Sequence, residues 1–475
     1  MNLMKKLYCS LLVQLFLTAS FAQGYNISVQ SNYKKGIAYL TYYRGRDLAV
    51  QDSAAVSATG KTVFAGKQKL AAGIYAIVFP GKQKEMDFLI DKEQVITITA
   101  DTADLSKAIV KGSPANDAFK QYQAFVSVKG AQLQKEKAAY AASTTRADSL
   151  THEAAYAKYS KELNDYRENI VKTKPNSMMA ALLNAMRDPQ VPKNVPVTHA
   201  DSLANYNFFK DHYWDGITFM DDRIIRTPFF LPKLETYYRS VMSQSSDSLI
   251  RDIDYKLLLA RNSPEMFKYL LNWFTDEYFR PKYMGQDAVF VYLFNQYHSK
   301  GMSPWLDEKQ QKSIADRAYM QMANLVGEQA ANLEFLNTAD KVTPLYDVAA
   351  DYTVVLFWDP SCGHCKEELP HIDSIYRASC KAKNVKIYAV LSENSKQLWL
   401  DYIKDHHIED WVNVYQTKEM ADTDAKSTKP GYKQLYDVIQ TPTLYLLDKE
   451  KRIVGKKLTW DQLDGLLEAK RTNKN

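Results

Sequence analysis

Between residues 36 and 100 the chain sets short apolar or aromatic runs between turn-forming residues: GIAYLTYY (Gly36–Tyr43), KTVFAG (Lys61–Gly66), GIYAIVF (Gly73–Phe79), MDFLI (Met86–Ile90) and VITITA (Val95–Ala100). β-Branched and aromatic residues at this spacing predict strands. Residues 23–112 are therefore expected to form a small all-β sandwich or barrel. The pattern changes at Gly112, Ser113 and Pro114, where Ser113 can cap a helix that Pro114 enters at its first position. From there to about Leu325 the period is helical, with a long polar-faced segment at Ala147–Lys172 and a capped run at Ser177–Met186, so 113–325 is expected to be an all-α domain. Two stretches in it, Asn205–Phe219 and Asn272–Tyr283, are rich in aromatics. Such rings either fill seams between helices or line a groove for a partner or sugar.

The last region, 326–475, alternates strand and helix. TVVLFW (Thr353–Trp358) reads as a buried strand, followed by a helix to about Cys380. VKIYAVLS (Val385–Ser392) is the next strand, then a helix near Lys396–His406 and a short strand at Val412–Tyr415. TLYLLD (Thr443–Asp448) and RIVGKK (Arg452–Lys457) predict a hairpin, and Thr459 with Gln462 forms a capping box for a last helix. Such alternation implies an α/β domain with a central sheet covered on both faces.

At 475 residues the chain can hold about three domains, and its 46% hydrophobic and 24% charged composition is ordinary for a folded protein. The first 22 residues carry Lys5 and Lys6, an apolar run from Leu7 to Leu17, and Ser20, Phe21 and Ala22 before Gln23. A basic start, a short apolar core and small residues at −3 and −1 are the pattern of a signal peptide cleaved after Ala22. The run is too short to span a bilayer as a helix. Removing it takes away two lysines, so the formal net charge falls from +6 to +4. With no concentrated basic stripe, nucleic acid is not an expected partner.

Cleavage also removes Cys9 and leaves Cys362, Cys365 and Cys380. A disulfide between residues three apart closes almost no loop, so little stability follows from it, and the pair Cys362-Gly363-His364-Cys365 is not a staple. Zinc would need four ligands; His371 and Cys380 are the nearest in sequence, and Cys380 reads more simply as a small buried apolar residue. A working redox pair fits better. Cys362 is expected at the first turn of a helix, where unpaired N–H groups and the macrodipole favour a thiolate. Cys365 lies one turn on and less exposed, so it would resolve what Cys362 captures. Lowering Cys362 from about 8.5 to about 7 raises the thiolate fraction at neutral pH from about 3% to about 50%, yet falling intrinsic nucleophilicity leaves a net gain of only about threefold. The larger benefits are a better leaving group and a more oxidising pair. His364 can push the same way by donating to the sulfur.

Trp358, the Cys362–Cys365 motif, Pro370 and the distant Thr441 and Pro442 before a strand together resemble the thioredoxin fold, and more narrowly exported thioredoxin-like proteins of the TlpA/ResA type. The resemblance covers about the last 150 residues. It implies that Pro442 is cis and faces the cysteines, and that Trp358, Thr441 and Pro442 form the substrate-binding surface. It also implies that Glu368, three residues after Cys365, handles the Cys365 proton. Leu356 stands where cytosolic thioredoxins carry a buried aspartate. The Gly363-His364 dipeptide is shared with protein disulfide isomerases, so the direction of electron flow stays open. A related peroxiredoxin would carry threonine three residues before its cysteine, where Asp359 stands here. The arrangement of a β domain, a tyrosine-rich helical domain and this module is similar to multidomain exported proteins of Gram-negative bacteria.

The resemblance implies a periplasmic dithiol–disulfide oxidoreductase, most simply a reductase, with exported protein thiols and disulfides as substrates and a membrane thiol carrier as electron partner. It calls for no metal or organic cofactor. The alternatives are a disulfide isomerase or oxidant, or a partner-binding protein that uses the module for docking.

Overall fold

The computed structural model describes residues 24–192, 195–381, 384–392, 396–427 and 429–472. The expected signal peptide lies outside them. Among the described residues no helix is long and apolar enough to cross a membrane. The chain divides into two units, with the division between Val241 and Met242 inside the stretch expected to be helical.

In the first unit, eight strands precede the helices: β1 (Tyr25–Gln30), β2 (Ile37–Arg44), β3 (Asp47–Ala55), β4 (Lys61–Gly66), β5 (Gly73–Val78), β6 (Glu85–Ile90), β7 (Val95–Thr99) and β8 (Ile109–Lys111). They form two four-stranded sheets, ordered β4-β1-β7-β8 and β3-β2-β5-β6. Alternation decides the inward faces. In β4, Thr62 and Phe64 are buried while Lys61, Val63 and Ala65 face out. Phe64, Ile27 and Ile96 from one sheet share a core with Leu40, Ile77 and Phe88 from the other, which makes the region a sandwich.

Helices follow: α1 (Pro114–Ala142), α2 (Arg146–Thr173), α3 (Met178–Ala185), α4 (His199–Asp211) and α5 (Phe230–Thr236). Ser113 caps α1 as expected, accepting from the Asn116 N–H, with Pro114 at the first position. The Asn116 carboxamide then bonds both the N–H and the carbonyl of Leu89 at 2.7 Å, tying the helix start to β6. The aromatics after α4 are a seam: Tyr213, Phe219, Phe230 and Tyr237 are buried, and Trp214 packs edge-on against Phe219 and Tyr237.

The second unit begins with α6 (Ser246–Leu259), α7 (Pro264–Phe279), α8 (Asp287–Leu293) and α9 (Glu308–Met322). The α/β part contains β9 (Glu334–Asn337), β10 (Val342–Pro344), β11 (Tyr352–Trp358), α10 (Gly363–Ile375), β12 (Val385–Leu391), α11 (Lys396–Asp405), β13 (Val412–Tyr415), α12 (Lys418–Lys426), α13 (Tyr432–Leu435), β14 (Thr443–Asp448), β15 (Ile453–Lys456) and α14 (Trp460–Thr472). Its seven-stranded sheet runs β10-β9-β13-β12-β11-β14-β15. β11, β12 and β13 are parallel, and β14 opposes β11 with Leu356 facing Leu444.

The central strand is apolar on both sides because both sides are covered. Leu356 and Trp358 pack with Leu369, Ile372, Trp399 and Leu463 on one face. Val355 and Phe357 pack with Tyr388, Tyr436 and Tyr445 on the other. At α14 the capping box is half formed: the Gln462 side chain accepts from the Thr459 N–H at 3.1 Å, but the Thr459 hydroxyl donates to Asp461.

Candidate active site

β11 delivers the chain to the end of the sheet at Trp358, and a tight turn follows. The Asp359 carboxylate accepts from the Ser361 N–H at 2.6 Å and from its hydroxyl, and the Cys362 N–H donates to the Asp359 carbonyl at 3.2 Å. This turn sets Cys362 at the cap position of α10, one residue before the first helical residue Gly363. Lys366 N–H closes the first helical bond on the Cys362 carbonyl at 3.2 Å.

Across from it, the Thr441–Pro442 peptide is cis, as the resemblance implied. The Cys362 thiol donates to the Thr441 carbonyl at 3.4 Å, so the loop before β14 faces the first sulfur. Both sulfurs are free thiols, Cys362 half-buried and Cys365 buried at 1% exposure.

Their acidities are driven apart. Partial burial raises Cys362, but the Thr441 side chain, the N–H and thiol of Cys365 and the N–H of His364 favour its anion and bring it below the ordinary thiol value. Burial pushes Cys365 up to about 12, and its hydrogen bond with Cys362 and that residue's charge add to the rise. One sulfur is prepared to ionise and the other to stay protonated until a partner takes its proton.

Two expected roles change. Trp358 is fully buried against Tyr402, with ring centroids 5.1 Å apart, so it supports the site from beneath and offers substrate no surface. Trp358, the last residue of β11, still pairs with Leu391 of β12, and its side chain falls on a covered face of the sheet. The His364 side chain is 82% exposed and lies 3.7 Å from Glu367, on the outside of α10. Its backbone N–H, not its imidazole, acts on the Cys362 sulfur. Glu368 borders the inward face set by Cys365, Leu369 and Ile372 and is partly buried. His371 stacks on Trp460 at 4.8 Å, and Cys380 is buried in the core with Trp399 and Trp411. Among the described residues no cluster of three or more His, Cys, Asp or Glu could hold a metal ion.

The sequence reading missed Tyr402. It is half-buried on α11, stacked on His406 at 3.7 Å, and its hydroxyl is raised by burial and then by the charge of Cys365. Its one signal was its place on the border of the amphipathic run that buries Trp399 and Ile403.

A parallel strand–helix–strand core, a dithiol at the N-terminus of a helix and a cis-proline opposite it define a thioredoxin-like protein. Residues 326–456 match the AhpC/TSA family. Residues 25–119 and 151–324 match two domains of unknown function, DUF4369 and DUF5106. The thiol-disulfide oxidoreductase ResA of a Bacillus cereus strain is 25% identical over 158 residues, 33% of this chain and 82% of that protein. The protein of the same name from Bacillus anthracis is 27% identical over 157 residues, 32% of this chain and 81% of that one. Among solved structures, a domain of a possible thiol-disulfide isomerase from Cytophaga hutchinsonii has 34% identity over 32% of this chain and 96% of its own, with a TM-score of 0.28. A thioredoxin-like protein from Bacteroides caccae covers 60% of this chain and 98% of its own, at 21% identity and a TM-score of 0.45. The C-terminal region thus carries the AhpC/TSA match within a thioredoxin-like fold, and the chain is a thiol–disulfide oxidoreductase with two further matched regions ahead of its redox module.

Proposed function

We propose that this protein is a periplasmic, TlpA-type disulfide reductase acting on exported proteins through the Cys362–Cys365 dithiol. The observation that carries the reading is a pair of free thiols one turn apart at the start of α10, the first half-buried and bonded to the Thr441 carbonyl beside the cis Pro442, the second buried. The Cys362 thiolate attacks a substrate disulfide and forms a mixed disulfide, releasing one substrate thiolate that takes a proton. Cys365 then gives up its proton, displaces the second substrate sulfur and leaves a Cys362–Cys365 disulfide. The substrate gains two electrons and the pair loses two, which a membrane thiol carrier returns. Thr441 and Pro442 align the extended substrate. The pattern of the first 22 residues supports export.

Cys365→Ser is expected to accumulate mixed disulfides at Cys362 with exported proteins, visible as adducts that dithiothreitol releases. A wild-type reduction potential near −270 mV supports a reductase, and one above about −200 mV makes the pair an isomerase or oxidant. No adducts and no exchange would leave the module as a docking domain.

Glu368 is the group proposed to take the Cys365 proton. In Glu368→Gln the resolving step should slow by about tenfold near neutral pH and lose its carboxylate limb. An unchanged pH–rate profile removes Glu368 from the chemistry.

A further inference from the structure

The loop that carries Thr441 and Pro442 is held from outside the thioredoxin-like module. Asp437, five residues before Pro442, has a left-handed backbone (φ 45°), a conformation that Asp tolerates better than most residues. Its side chain is 1% exposed, and Arg317 Nη1 on α9 lies 2.8 Å from its Oδ1. Lys457, just past β15, meets the other oxygen at 2.5 Å. Arg317 is itself fixed, since its Nε donates to the Phe279 carbonyl at the end of α7 at 3.1 Å. Two residues after α9, Asn324 donates to the Leu435 carbonyl at 3.0 Å, at the end of the short helix that leads into Asp437.

The span from Val438 to Pro442 thus has two anchors. One is Asp437. The other is Thr443, which enters β14 opposite Phe357 and bonds the Gln440 carbonyl at 2.7 Å. Val438 is buried in the core and its N–H donates to the Lys433 carbonyl at 2.8 Å, but Ile439 beyond it is 70% exposed, so the tip of the loop makes little core of its own. The end at Thr443 belongs to the sheet. The end at Asp437 is held by one cation from the helical segment, Arg317, and one from the module itself, Lys457.

We infer that Arg317 is a positioning residue for the dithiol chemistry: by holding Asp437 it fixes the loop whose Thr441 carbonyl faces Cys362, and so sets how well an extended polypeptide is aligned for attack. This rests on the thiol–disulfide reading above. It gives α9, within the region that matches DUF5106, a role in substrate alignment.

The test compares two disulfides on the pre-reduced full chain. Insulin needs an aligned backbone beside the loop, whereas the small aromatic disulfide 5,5′-dithiobis(2-nitrobenzoate) needs only the exposed thiolate. In Arg317→Met the rate constant with insulin should fall about tenfold, mostly in KM, while that with the small disulfide changes less than twofold. Arg317→Lys keeps the charge and loses the fork, and should recover to within about threefold of wild type. Should the Met variant not fold, Arg317→Lys and Lys457→Met carry the same comparison, each with a selective loss on insulin of about threefold. Equal losses on both disulfides, or none on either in a folded variant, would overturn the inference and leave the ion pair as cement. A wild-type protein that reacts with neither disulfide refutes the underlying reading instead.

Discussion

At pH 7 iodoacetamide should alkylate Cys362 and leave Cys365 untouched over the same interval, with a rate ratio of at least about fifty. The size follows from the two acidities. With Cys365 at about 12, about one molecule in 10⁵ carries that thiolate at pH 7, whereas hydrogen bonds to its anion hold Cys362 below the ordinary thiol value, so a far larger fraction of it is ionised. The higher-pKa thiolate is intrinsically more reactive, but at a Brønsted slope near 0.45 this returns less than half of the logarithm gained by ionisation. The remainder favours Cys362 by an order of magnitude or more, about fiftyfold or above once the burial of Cys365 also denies the reagent access. Mass spectrometry of the alkylated peptides reads the ratio, and the pH dependence of Cys362 labelling reads its acidity. Cys362→Ser should reduce disulfide exchange to the uncatalysed rate. Comparable labelling of both thiols, or a Cys362 midpoint no lower than a free peptide thiol, would sink the assignment of attacker and resolver.

That assignment was legible in the residues, and the reason is local. Two cysteines three apart after an apolar strand put one sulfur at a helix start and the other a turn inside it, whatever the rest of the chain does. β4, β13 and β14 begin and end where their runs begin and end, because each is a short run rich in apolar or β-branched residues with a polar residue, Lys67, Gln416 or Lys449, directly after it. β3 escaped notice because DLAVQDSAA lies on an exposed edge and carries one β-branched residue. β9 and β10 are too short to set up an alternation. What a motif cannot say is where a side chain points. Trp358 matches its family position and faces the core. His364 sits between the cysteines, and α10 turns its ring outward. The ties from Asp287, Arg317 and Asn324 to residues more than a hundred positions later left no trace in the sequence, since each of these residues alone reads as an ordinary polar position on or just after a helix.

Lys456→Met should destabilise the second unit by about 3–5 kcal/mol, the cost of leaving a buried charge without its partner. Lys456 Nζ, 7% exposed, lies 2.6 Å from Asp287 Oδ2 and 2.9 Å from the Asn324 carbonyl, and it also bonds the Asn324 side chain. Burial pulls the ammonium below its usual range while the Asp287 charge opposes that pull. The pair is therefore held by mutual need more than by net attraction. Removing both charges should cost far less than removing one, so Asp287→Leu with Lys456→Met is expected to regain most of the loss. For a unit of this size the single variant should melt about 6–20 °C lower. Denaturant unfolding of the full chain, followed by tryptophan fluorescence, gives the free energies for the cycle. A single-variant loss under about 1 kcal/mol would mean that water reaches Asp287 and that the site is not buried in solution. Lys456 ends β15 next to Lys457, which holds Asp437, yet the bonds of the Lys456 ammonium go to Asp287 and Asn324 and not to the loop. Its one tie toward the loop is indirect, through the Asn324 side chain that donates to the Leu435 carbonyl, so in the folded fraction of Lys456→Met the insulin-to-small-disulfide rate ratio should fall less than in Arg317→Met. The contrast with Arg317 follows from where each cation is attached: Lys456 fastens a strand end to helices, and Arg317 fastens the loop that meets the substrate.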